Sequence, residues 1–109
     1  VIRIIREEAL VNRSYKLGGR LFSRLNELKD RFSFIKEVRG RGLMVSLEFS
    51  RADDNLNVET ISDEMLKRGF IIGFNPTANL IRFLPPLTIE EGEIEAMVEN
   101  LNMVLEKMN

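Results

Sequence analysis

The sequence contains no cysteine and no histidine. Without cysteine there is no disulfide scaffold, no zinc-thiolate site and no thiol nucleophile. Without histidine the chain lacks the side chain that most often moves protons near neutral pH and most often ligates transition metals. No metal site is therefore expected, and the cysteine-free composition fits an intracellular, cytoplasmic location. There is no basic excess either: 16 Lys and Arg stand against 17 Asp and Glu, a formal net charge of -1. Nothing here would attract a phosphate backbone, so nucleic acid is not an expected partner. No apolar run approaches the roughly 20 residues that span a bilayer, so no membrane partner is expected. The opening VIRIIREEAL is interrupted by charges too often to be a signal peptide. No N-cap residue precedes its helical pattern, and it reads as the interior of a longer helix.

What is present suits one soluble globular domain. The chain has 109 residues, of which 44% are hydrophobic and 30% charged, enough for a modest core and too apolar for disorder. From Ser14 to Phe32 the positions Leu17, Gly18, Leu21, Phe22, Leu25, Leu28 and Phe32 recur at spacings of three and four, which predicts an amphipathic helix. Ile2 to Ala9 is also helical in pattern, with Asn12 as a candidate bend between the two. Gly18-Gly19 weakens the helix by roughly 1 kcal/mol per glycine. The pair marks either a close approach or a plain weak spot.

Ile35 to Arg39 suits a strand. Leu43, Val45, Leu47 and Phe49 alternate with Met44, Ser46 and Glu48, which suits a longer one, with Gly40 and Gly42 bracketing the turn or bulge between. RADDNLN is a polar loop. Asn57 is placed to cap a helix from Val58 to Lys67, which Gly69 ends. Phe70 to Phe74 reads as a third strand, and Asn75 to Asn79 as a turn cluster. Leu80 to Leu84 reads as a fourth strand, halted by Pro85-Pro86. Thr88 is placed to cap the last helix, whose core stripe is Ile94, Met97, Val98, Leu101, Val104, Leu105 and Met108. The order α-β-β-α-β-β-α with short loops predicts an α+β domain, a small, mainly antiparallel four-stranded sheet with helices packed on it.

One residue conflicts with its setting. Arg82 sits in the apolar strand LIRFLPPL and shares a face with Leu80 and Leu84. A guanidinium keeps its proton at ordinary pH, so burial without a partner would cost roughly 3–5 kcal/mol. A carboxylate complements it best, through two parallel hydrogen bonds. Three readings follow from the residues: an internal pair with Glu48, a side chain that snorkels into water, or a cleft residue that receives the carboxylate of a small substrate. Pro85-Pro86 fixes the exit of the strand under all three.

The stretches EVRGRGLMVSLEF and KRGFIIGFNPTANLIRFLPPLTIEEGEIEAMVENL, with the helical entry VIRIIREEALVNRSYKLGGRLFSRL, resemble the C-terminal small domain of class III pyridoxal-phosphate aminotransferases, the acetylornithine, ornithine and 4-aminobutyrate type. The resemblance runs over essentially the whole chain. Val38 to Met44 and Ile81 to Leu87 carry most of it. It implies that residues 1–109 form the small domain, beside a large cofactor-binding domain that this chain lacks. It implies further that Arg82 holds a substrate carboxylate, including that of 2-oxoglutarate. Arg39, Gly40, Gly42, Pro85 and Pro86 are read as structural turn residues. The cofactor, pyridoxal phosphate, is expected in the full-length enzyme and not on this chain alone. Lys16, Lys29, Lys36, Lys67 and Lys107 do not match the family's Schiff-base lysine. The fragment alone is expected to be inactive, and the full-length enzyme to be a homodimer. The alternative is a non-catalytic amino-acid-sensing or structural interaction module of the same fold.

Overall fold

Alternation of buried and exposed residues sorts the strands into one sheet with two unlike faces. The computed structural model describes the backbone of residues 2–41, 44–50, 56–83 and 89–108, and side chains from residue 15 onward within these ranges, except that of residue 41. The elements are α1 (Ile2–Arg31), β1 (Ile35–Arg41), β2 (Met44–Phe49), α2 (Val58–Lys67), β3 (Gly73–Asn75), β4 (Leu80–Phe83) and α3 (Glu91–Met108). The α+β architecture expected from the sequence is the one observed. The strands form a single four-stranded sheet in the order β1-β2-β4-β3, antiparallel at every pairing. β3 therefore runs parallel to β2, one strand removed. The return that this requires is made by α2, as parallel crossovers demand.

The covered face of the sheet carries Val38, Val45, Leu47, Ile81 and Phe83, all buried. α1 packs on β1 and β2, α2 packs on β3 and β4, and α3 packs against both helices. Leu21, Leu25, Ile61, Met65, Ile94, Leu101, Val104 and Leu105 complete the core, and no polar or charged residue is buried among the described residues. α1 and α3 run in the same direction: Arg20 and Arg24 both reach Glu95, at 2.8 and 2.9 Å, and Arg31 reaches Glu106 eleven positions further along each helix.

Local chemistry explains most boundaries. Asn57 Oδ1 accepts from the N–H groups of Glu59 and Thr60, at 2.8 and 3.3 Å, the N-cap that the sequence suggests for α2. Gly69 ends the helix with φ +93°. The Gly69 N–H donates to Leu66 O and the Phe70 N–H to Met65 O, so the last carbonyls are satisfied by a Schellman pair. α3 starts at Glu91, with the Glu90 N–H donating to Glu93 Oε1 at 3.2 Å, one arm of a capping box. Thr88, the expected cap, lies outside the described residues, as do Leu84 and the loop 51–55.

Four expectations need correction. α1 runs unbroken through Asn12 as one helix and not two, because a single asparagine is a weak helix breaker. Gly18 is buried, whereas a side chain at Gly19 would meet nothing within 4 Å, so only the first glycine of the pair lies against the core. β3 begins at Gly73 instead of Phe70, because the Schellman turn occupies Gly69 and Phe70. Arg39 and Gly40 are strand residues, not turn residues: Arg39 pairs with Ser46, Gly40 with Val45 and Arg41 with Met44. A Cβ on Gly40 would lie 2.9 Å from the Phe22 ring, so this glycine serves the packing of α1 on β1. Gly42, Pro85 and Pro86 lie outside the described residues.

β1 also contains an irregularity that the sequence pattern hides. Ile35 and Val38 are both buried although three residues apart, which strict alternation forbids. The register shifts between Ile35 and Glu37, and this bulge at Lys36 returns Val38 to the covered face.

Candidate functional site

The face of the sheet turned away from the helices carries the polar residues of the strands. The register places Arg39, Ser46, Arg82 and Gly73 on one rung across all four strands. The next rung holds Glu37, Glu48, Leu80 and Asn75. Opposed residues of neighbouring strands project to the same side, so these eight positions share one surface. Met44 extends it, 49% exposed. At ~4.8 Å per strand, the Cα atoms of Arg39 and Arg82 lie roughly 10 Å apart, with Ser46 between them.

The two arginines differ in their partners. Arg39 donates to Glu37 at 2.9 Å and lies 3.8 Å from Glu48. The hydrogen bond from Arg39, with its charge, holds the Glu37 carboxyl below its ordinary value, and the same bond raises the Arg39 guanidinium. Glu48 is only 17% exposed, 3.6 Å from Lys36, and its Oε2 is buried with no hydrogen bond. It belongs to the β1 side of the surface. The internal pair between Glu48 and Arg82 weighed from the sequence does not form.

The Arg82 side chain is exposed and makes no hydrogen bond or ion pair with any described residue. The penalty for burying a lone guanidinium therefore does not arise. Arg82 shares its face with the half-buried Leu80, as strand alternation requires, and Leu84 lies outside the described residues. Beside it, Gly73 carries no side chain: a Cβ there would sit 3.9 Å from the Arg82 Cβ. The flank of Arg82 toward β3 is therefore open. The arrangement offers a cation on a rigid strand, between a serine on one side and a gap on the other, suited to a planar anion.

The described residues do not fit a pyridoxal phosphate of their own. Each of the five lysines is exposed, Lys36 by 63% and Lys67 by 72% of its side chain. None is enclosed in the way a lysine poised for imine chemistry needs to be. Among the described residues no cluster of metal-ligating side chains occurs, and no helix is long and apolar enough to cross a membrane.

Sequence reasoning reached Arg82 and overlooked Ser46. The alternation in MVSLEF does put Ser46 on the polar face, but only the register between β2 and β4 sets it opposite Arg82.

Comparison with known proteins agrees with this architecture. The family model described as "Aminotransferase class-III" matches residues 1–105, and the chain belongs to that family. An ornithine aminotransferase, mitochondrial, from Arabidopsis thaliana is 42% identical over 106 residues, covering 94% of this chain and 22% of the relative. An acetylornithine aminotransferase from Methanocaldococcus jannaschii is 37% identical, covering 94% and 24%. A leucine/methionine racemase from Thermococcus litoralis is 32% identical, covering 96% and 25%. Among solved structures, a lysine aminotransferase from M. tuberculosis superposes with a TM-score of 0.84 at 28% identity, covering 98% of this chain and 24% of that one. The chain spans about a quarter of the length of the relatives it matches.

Proposed function

We propose that this chain is the carboxylate-gripping small domain of a larger pyridoxal-phosphate-dependent aminotransferase of the ornithine or acetylornithine type. Arg82 receives a carboxylate of the amino acid or of the 2-oxoglutarate acceptor. The observation that carries this reading is the state of Arg82: a guanidinium on a strand, exposed and unpartnered among the described residues, on the sheet face that no helix covers. Family membership supports the reaction class, and the names of the ornithine and acetylornithine relatives support the type of donor.

The cofactor of the family acts as an electron sink. No residue described here fits it, so its holder is a large domain that packs against this one, the whole forming a homodimer. Met44 and Leu80 give the open face the apolar character that such a domain would cover. The part left to this chain is orientation. A charge-assisted pair to Arg82 contributes about 1.5–3 kcal/mol and fixes the substrate against a rigid strand. The chain by itself has no electrophile and should not transaminate.

The test is a substitution in the full-length enzyme. Arg82→Ala should raise KM for 2-oxoglutarate by roughly 10- to 100-fold while the fold is kept. An unchanged KM would remove the carboxylate role from Arg82 and leave this domain a structural part of the enzyme. The racemase relatives raise a second reading, since a racemase also grips an amino-acid carboxylate. Incubating an L-amino acid with and without 2-oxoglutarate separates the two. Glutamate formation that depends on the acceptor supports transamination, and inversion without the acceptor supports racemisation.

A further inference from the structure

We infer that the Ser46 hydroxyl is a second donor to the carboxylate held by Arg82, so that the two residues form one anion cradle; this rests on the Arg82 reading above. Ser46 is the residue directly opposed to Arg82 across the β2–β4 pair, and such pairs hold their Cβ atoms about 4.5–5.5 Å apart on one side of the sheet. Ser46 is half-buried and its hydroxyl has no hydrogen-bond partner among the described residues. Its neighbours along the strand, Val45 and Leu47, point into the core, so the hydroxyl points to the open face where Arg82 stands.

The surroundings decide which of the two flanking arginines shares the anion with it. Arg39, on the far side of Ser46, is already neutralised by Glu37 at 2.9 Å and faces Glu48. A carboxylate approaching the rung therefore meets an ion-paired cluster on the β1 side and, on the β4 side, a cation with no partner among the described residues. Gly73 leaves the flank beyond Arg82 clear. An anion lying flat over Ser46 takes one oxygen to the hydroxyl and presents the other to the guanidinium, using acceptor sites that a single arginine leaves open. The serine thereby fixes the rotation of the carboxylate plane, which a lone cation does not.

The experiment uses the full-length holoenzyme and glutarate, a dicarboxylate without a reacting carbonyl, with Kd measured by titration calorimetry. Ser46→Ala should weaken glutarate about 10-fold, the value of one hydrogen bond to a charged group. Ser46→Thr, which keeps the hydroxyl, should bind near the unmodified level, and Arg82→Ala should lose binding. If both serine variants bind like the parent while Arg82→Ala does not, the serine contribution is refuted and the Arg82 reading stands. If Ser46→Ala and Ser46→Thr weaken binding equally, shape and not the hydroxyl is responsible, and the inference is again refuted. If Arg82→Ala also binds like the parent, the Arg82 reading itself fails.

Discussion

The two faces of this sheet are built from the same four strands and carry opposite chemistry. On the covered face Val38, Val45, Leu47, Ile81 and Phe83 are apolar and buried beneath the helices. On the open face the same strands present Arg39, Ser46, Glu48 and Arg82, with Gly73 and Met44 beside them. One face holds the domain together, and the other leaves donors and a cation available. Division of labour by strand alternation has a consequence: the functional residues should be removable without unfolding the domain, and the core residues should not.

The largest effects belong to the covered face. Phe83→Ala, at a residue 1% exposed, should destabilise the domain by about 3–5 kcal/mol in a chemical denaturation experiment. Arg82→Ala, one position earlier in the strand, should change stability by no more than about 0.5 kcal/mol, while weakening carboxylate binding as described above. Comparable destabilisation by the two would mean that the faces are not separable. A smaller effect is expected at Gly40, where β1 meets α1. Gly40→Ala brings a methyl to 2.9 Å from the Phe22 ring, and should cost about 1 kcal/mol. Phe22 is partly exposed and can give way, so Phe22→Ala should relieve much of that cost in a double-mutant cycle. Additive losses would show that the contact is not the cause.

Smaller again, and of opposite sign, is the substitution at Gly19. Gly18 is buried, whereas a Cβ on Gly19 would meet nothing within 4 Å, so Gly19→Ala adds a side chain into open space. It should stabilise α1 by about 0.5–1 kcal/mol, read as a rise in the unfolding midpoint.

Much of this was legible in the residues, for identifiable reasons. Asn57 and Gly69 bound α2 as their local chemistry requires, because a cap and a left-handed terminus depend on a few adjacent atoms. The core stripe of α3 follows its period of 3.6. The alternation in MVSLEF separated the two faces before any register was known. What the sequence did not disclose is tertiary. The bulge at Lys36 reverses the face of every residue after it, and no local pattern announces it. Gly40 resembles a turn glycine until Phe22 is seen above it. The pairing of Ser46 with Arg82 depends on how β2 meets a strand that lies more than thirty residues further along the chain.

The smallest expected effect concerns the neutralised arginine, the one that makes Arg82 distinct. The Arg39 hydrogen bond and charge lower the Glu37 carboxyl below its ordinary value. The folded state therefore binds this proton less tightly than the unfolded chain does, so the pair's contribution is fully present above the ordinary carboxyl value and is lost as pH falls through the lowered one. Both side chains are exposed, so the contribution to stability is slight. The titration midpoint is the sharper readout. Followed by carboxyl carbon NMR, Glu37 should titrate below an ordinary glutamate and return upward in Arg39→Ala. The same substitution should leave glutarate affinity at Arg82 unaltered, because Arg39 is already occupied by its own neighbour. A loss of affinity on removing Arg39 would mean that both guanidinia of the rung hold the ligand, and the asymmetry between them, on which the placement of the anion over Ser46 and Arg82 depends, would be wrong.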